Sequence, residues 1–289
     1  MRDPDFFLIG APKCGTTSLV RWLAEHRQVF MSAIKEPHYY STDLGNRSIV
    51  TERAYRNLFR GIKAHHKAVG EASTWYLYSK KAVENIEHGC AGAKYIVMTR
   101  DPVDMACSLY YHNVRKLHED RTTFEEAWRL QSSRALGHSV PKTCSEPDFL
   151  QYYAACSLGS MLQRLLDRVP PQRVLHLSLE DMKKDPDGEL RRVRLYLNLD
   201  DDGRNIFPVV NQARHYRFRS VQYLMRLGAH ARRLMGIQRG FGLSGFNEKK
   251  SEKTSLADDF LKELHEVFDG QRKLLSAVSC QLKDVNVPQ

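Results

Sequence analysis

No apolar run in the 289-residue chain approaches the ~20 residues that a membrane-spanning helix needs. Asp3 and Asp5 precede a first apolar run too short for a secretory signal, so the expectation is a soluble, cytoplasmic protein. C-x-x-C pairs, an H-E-x-x-H set and Cys/His spacings suited to zinc are all missing, so no metal site is expected. The six cysteines (Cys14, Cys90, Cys107, Cys144, Cys156, Cys280) are scattered, which reads as reduced thiols rather than a disulfide framework. The net charge of +10 comes without a helix-turn-helix, zinc-finger or RNP signature, so nucleic acid is not the expected partner. Internal repeats and low-complexity tracts are absent as well.

What remains, with 42% hydrophobic residues, suits one large α/β domain. Its organising stretch comes at once. Phe6-Phe7-Leu8-Ile9 reads as a buried parallel strand, Gly10 and Gly15 bracket a tight loop, and Thr16 to His26 continues with helical spacing. A strand, a small-residue loop and a helix N-terminus together make a phosphate site, because backbone N–H groups and the helix dipole both favour an anion there. The loop is not a Walker motif. Thr16 stands where that motif needs Lys, and the loop's one Lys, Lys13, lies inside it. Three hydroxyls, Thr16, Thr17 and Ser18, open the helix and suit an anion held by direct hydrogen bonds. A Walker B acid is also lacking, since the strand Lys94–Thr99 runs into Arg100. A P-loop kinase or NTPase is therefore the disfavoured rival class, and a non-catalytic binder of polyanions the third.

Further strands are expected at 29–31, 67–71 and 173–178, giving with 6–10 and 94–99 a central parallel sheet of about five strands covered by helices on both faces. Helices are expected at 51–60, 75–88, 104–118, 123–136, 149–169, 189–197, 220–235 and 256–279, with Thr51 and either Ser73 or Thr74 as N-caps. Three loop segments carry chemistry. Lys35-Glu36-Pro37-His38 follows a strand, where α/β active sites lie. Glu71-Ala72-Ser73-Thr74 follows another. Arg100 ends the fourth strand, with Ser108 two turns into the following helix, where a guanidinium and a hydroxyl can share one phosphate. The loop Gly137–Pro147 is long enough for a lid or substrate wall. From residue 211 the chain turns basic and irregular.

Pro12-Lys13-Cys14-Gly15-Thr16-Thr17-Ser18 resembles the 5′-phosphosulfate loop of sulfotransferases that use 3′-phosphoadenosine 5′-phosphosulfate (PAPS). Arg100-x7-Ser108 resembles their 3′-phosphate signature, and Lys35-Glu36-Pro37-His38 the segment whose Glu is the general base in glycan-type members. The likeness is good over 5–200 and loose beyond. It implies a P-loop-like three-layer fold, PAPS as donor, 3′-phosphoadenosine 5′-phosphate (PAP) as product and no metal. It implies Lys13, Cys14, Gly15, Thr16, Thr17, Ser18, Arg100 and Ser108 as nucleotide contacts, with Gly245, Lys249 and Lys250 in a basic segment, 211–289, that closes over the nucleotide within one domain, 1–289. Lys13, as the cation at the leaving phosphate, and Glu36, as general base, are the candidate catalytic residues, with His38 as reserve base because its unperturbed pKa lies closer to neutrality, and His112 structural or substrate-facing. One departure stands out: several glycan-modifying members carry Lys where this chain has Ala72. The expected acceptor is a hydroxyl or amine of a small-molecule natural product, with a glycan hydroxyl as the alternative; oligomeric state is left open.

Overall fold

The structure is a computed structural model that describes residues 2–204, 214–216, 248–250 and 256–285. Its centre is a five-stranded, fully parallel sheet built from β1 (Phe6–Gly10), β2 (Val29–Met31), β3 (Ala68–Ala72), β4 (Lys94–Thr99) and β5 (Val174–Ser178), in the order β2-β3-β1-β4-β5. β1 is the middle strand, which explains its unbroken apolar run. All five of its residues are buried because both faces of a parallel sheet are covered. Full burial of each such Phe, Leu or Ile side chain contributes about 1.5–3 kcal/mol. The glycine opposite Phe6 in the register, Gly70, is demanded by packing: a Cβ there would sit 2.1 Å from the Phe6 ring.

Between the strands run α1 (Thr16–Ala24), α2 (Glu52–Asn57), α3 (Ala82–Gly89) and α4 (Pro102–Lys116). Thr51 caps α2, accepting from Ala54 N at 3.3 Å. The expected helix at 75–88 is shortened to α3, because Ser79 Oγ accepts from Ala82 N and starts the helix there, leaving 74–81 as turns. Ser73 and Thr74 are not N-caps; both side chains turn toward the Glu36 loop. The expected helix 149–169 is broken into a 3-10 turn, Pro147–Leu150, and helices Tyr152–Ala155 and Leu158–Leu166. The segment 123–136 divides at Leu130, and 189–197 lengthens to Pro186–Tyr196. The last helical stretch is two helices, Asp258–Val267 and Asp269–Val285, whose Phe260, Leu264, Val278 and Leu282 are buried in the core along with Phe268 at their junction. The expected helix 220–235 lies outside the described residues.

Candidate functional site

The loop after β1 is delivered to the sheet's C-terminal edge by a register shift between Leu8 and Gly10, after which Ala11 N donates to Met98 O at 2.6 Å. Gly15 caps α1 with φ 86°, in the left-handed region where a side chain is strained, and a Cβ there would meet Leu179 Cδ1 at 2.8 Å. Lys13 takes the same unusual backbone, φ 66°. The N–H groups of Lys13 to Thr17 find no acceptor among the described residues, so they form an anion nest at the helix N-terminus. Thr16 and Ser18 are buried beside it. Cys14 faces inward, its Sγ 3.7 Å from Met105 Sδ, and burial pushes its thiol up to about 12, so it packs rather than reacts.

Lys13 makes no ion pair with any described residue. Burial, then the Arg115 and Arg100 guanidinium groups, pull its ammonium down to about 8. Three cations held within mutual influence are unfavourable on their own, an arrangement that an anion would relieve. His112, on α4, faces the same charges: burial, then Lys13, Arg115 and Lys116, push it down to about 2, so it stays neutral. Arg100 directly follows β4, and its Nη2 donates to Asp104 Oδ2 at 3.0 Å while its Nε is buried without a partner among the described residues. Ser108 is half-buried, the seventh residue of α4. The Arg100 turn is built by Asp101, whose Oδ1 accepts from Val103 N (3.0 Å) and Asp104 N (3.1 Å) while its Oδ2 accepts from Arg272 Nε at 2.7 Å. Arg272, on the terminal helix Asp269–Val285, is a supporting residue the sequence reading missed; nothing in its local pattern announces a partner 171 residues away.

The Glu36 loop lies against the end of β3. Glu36 and His38 both adopt positive φ, 62° and 52°. Three bonds hold them: Glu36 N donates to Ala72 O (2.8 Å), His38 N to Ser73 Oγ (3.0 Å) and Tyr40 N to Tyr76 Oη (3.1 Å). Thr74 Oγ1 donates to Glu36 Oε1 at 3.1 Å, and Lys35 Nζ donates to the same oxygen. Burial works against the Glu36 charge, but the adjacent Lys35 ammonium and its hydrogen bond, His38 and Thr74 outweigh it and hold the carboxyl below the usual range. His38 is buried with Nδ1 unpartnered among the described residues, and burial pushes it down to about 4. Its expected advantage as a base near neutrality is therefore removed by its surroundings. Ala72 is buried in β3, so the position where several glycan-modifying members carry Lys is enclosed by packing.

Of the C-terminal candidates, Gly245 lies outside the described residues. Lys249 and Lys250 fall in a short strand, Glu248–Lys250, paired antiparallel with Arg214–Tyr216 rather than in an irregular loop, and the latter strand runs beside α4. The loop 137–147 is tied down at its end: Ser145 N donates to His118 Nδ1 at 3.4 Å, Thr143 Oγ1 to Leu117 O, and Glu146 Oε2 accepts from Gly45 N. Among the described residues, no group of three His, Cys, Asp or Glu could hold a metal ion, and no helix is long and apolar enough to cross a membrane.

Comparison with known proteins agrees with this geometry. Heparan sulfate glucosamine 3-O-sulfotransferase 3B1 of Mus musculus is 30% identical over 202 residues, covering 68% of this chain and 46% of that protein. The crystal structure of a sulfotransferase from Alicyclobacillus acidocaldarius is 28% identical with a TM-score of 0.64, covering 83% of this chain and 98% of that one. Mouse sulfotransferase SULT7A1 complexed with PAP shares the fold at 14% identity and a TM-score of 0.54, over 98% of this chain and 88% of that one. The match spans only 25–46% of the length of the curated relatives first found. With the Sulfotransferase domain model matching residues 3–269, the chain belongs to the sulfotransferase family and carries its P-loop-like α/β fold.

Proposed function

We propose that the protein moves a sulfuryl group from PAPS to a hydroxyl or amine by in-line displacement. The observation that carries this reading is the half-buried Lys13, without an ion pair among the described residues, in a nest of N–H groups that find no acceptor among them, beside Arg100 and Arg115. PAPS, when bound, supplies an activated sulfuryl group on a phosphate leaving group. As the sulfur–oxygen bond to that phosphate breaks, negative charge grows on the leaving oxygen. A fixed cation there stabilises the transition state more than the ground state, and Lys13 takes that role with Thr16, Thr17 and Ser18. The new bond forms from the acceptor atom to sulfur. The acceptor's proton passes to Glu36, which is ionised at neutral pH. Arg100 and Ser108 bind the 3′-phosphate, and Lys249 and Lys250, in a strand pair beside α4, add to the nucleotide site. Residues 1–289 act together in this reading as one sulfotransferase domain.

The acceptor we favour is a small molecule. Ala72, where several glycan-modifying members carry Lys, supports it. A glycan hydroxyl is the second reading, favoured by the Lys35-Glu36-Pro37-His38 segment and by a 30% identical relative named for heparan sulfate. Six free cysteines support a cytoplasmic setting. Calorimetric titration with PAP, PAPS and Mg-ATP tests the donor. Metal-independent PAP binding is expected, and a preference for Mg-ATP would overturn the reading. A screen of small-molecule and glycan acceptors with labelled PAPS then decides between the two acceptor classes.

A further inference from the structure

Beneath the Glu36 loop lies a carboxyl group that the reaction above does not use. Glu71, in β3, is completely buried. Its Oε2 accepts from Tyr76 Oη at 2.8 Å and from Tyr55 Oη at 3.3 Å, while Oε1 has no hydrogen-bond partner among the described residues. A tyrosine hydroxyl has one proton to give. With that proton spent on Glu71, the Tyr76 oxygen presents its lone pairs to the backbone, and it is this oxygen that accepts from Tyr40 N at 3.1 Å. Tyr40 closes the segment in which Glu36 and His38 both sit at positive φ. Such backbone persists only where its surroundings over-determine it. Tyr55, the second donor to Glu71, stacks on Tyr39 of the same segment with ring centroids 4.3 Å apart. Glu71 thus reaches the segment from both sides, through a hydrogen bond at Tyr40 and a ring contact at Tyr39.

We propose that Glu71 is a positioning residue for Glu36: it fixes the hydroxyl directions of Tyr76 and Tyr55, and through them the loop that aims the base. The inference rests on the proposed role of Glu36. What Glu71 must supply is an acceptor oxygen. Glu71→Gln keeps one and should retain turnover within about threefold, whereas Glu71→Leu, of similar volume, removes both oxygens. Displacing a reacting group by a fraction of an ångström to 1 Å costs on the order of 10- to 100-fold in rate. Glu71→Leu and Tyr76→Phe should each lower kcat by roughly that amount, with PAP affinity unchanged by calorimetry. Because both cut the same link, the double variant should lose little more than either single one.

The full chain is assayed with PAPS and an accepted acceptor, with Glu36→Gln measured alongside. Unchanged kcat in Tyr76→Phe or a folded Glu71→Leu, with Glu36→Gln inactive, overturns the positioning inference and leaves the base intact. Full activity of Glu36→Gln overturns the base reading itself. Equal losses of kcat and PAP affinity, or additive losses in the double variant, mean that Glu71 merely holds the fold. If Glu71→Leu fails to fold, Tyr76→Phe, which keeps its ring and loses only the oxygen, still decides.

Discussion

Lys13 combines a left-handed backbone, partial burial and two neighbouring cations, and a bound anion would offset the last two. Its ammonium, held near 8 in the free protein, gains affinity for its proton when phosphosulfate binds. The sign follows: a group whose pKa rises on binding favours the complex where it is already protonated. PAP affinity should therefore be highest below pH 8 and fall as pH rises through about 8, a dependence that Lys13→Met flattens; titrations from pH 6.5 to 9.5 check this. In turnover, Lys13→Ala should cost about 100-fold or more in kcat, the usual scale for one lost transition-state donor. Glu36→Gln should keep nucleotide affinity while losing about 10²–10⁴-fold in rate. Glu36 is held below the usual carboxylate range and His38 lies near 4, so the acid limb of the pH–rate profile does not separate them. Comparing Glu36→Gln with His38→Ala does.

At the scale of elements, β4, the Arg100 turn and α4 form one unit, capped by Pro102 at its first helical turn and Asp101 at its N-cap. Arg100→Ala and Ser108→Ala should each weaken PAP by about 1.5–3 kcal/mol, the value of a charge-assisted hydrogen bond. Both should leave a nucleotide without the 3′-phosphate nearly untouched, and calorimetry with the two ligands makes the comparison. This unit and the loop after β1 were legible in the sequence because their chemistry is local: strand, small loop, helix and a fixed spacing. The sheet was legible for the same reason, each strand being a short apolar run ended by loop residues. What stayed hidden was long-range. Ser73 and Thr74 look like helix caps because Ser and Thr usually are; only the folded chain reveals His38 N and Glu36 as their partners. Glu71 reads as an ordinary strand-end acid until Tyr55 and Tyr76 close over it. The break at Gln151 in an otherwise helical pattern coincides with tertiary contacts: Gln151 Nε2 donates to Gln131 O, and Gln131 Oε1 accepts from Tyr153 N.

For the whole molecule, one ion pair among the described residues is buried on both sides. Arg134 and Glu119 have no exposed side-chain area and pair through two bonds, 2.6 and 2.7 Å, with Tyr152 Oη adding a third at 2.8 Å. Removing one partner strands the other's charge, so Arg134→Ala should destabilise by about 3–5 kcal/mol, measured by denaturant unfolding. The Arg272–Asp101 bridge works differently, being half-exposed and modest in energy. It joins the terminal helix to the turn that presents Arg100. Ordering of that turn by a bound nucleotide should therefore propagate as slower amide hydrogen–deuterium exchange along Asp269–Val285, a helix that carries none of the proposed nucleotide contacts. Arg272→Leu should uncouple the two, leaving PAP bound and the helix exchanging as it does in the free protein.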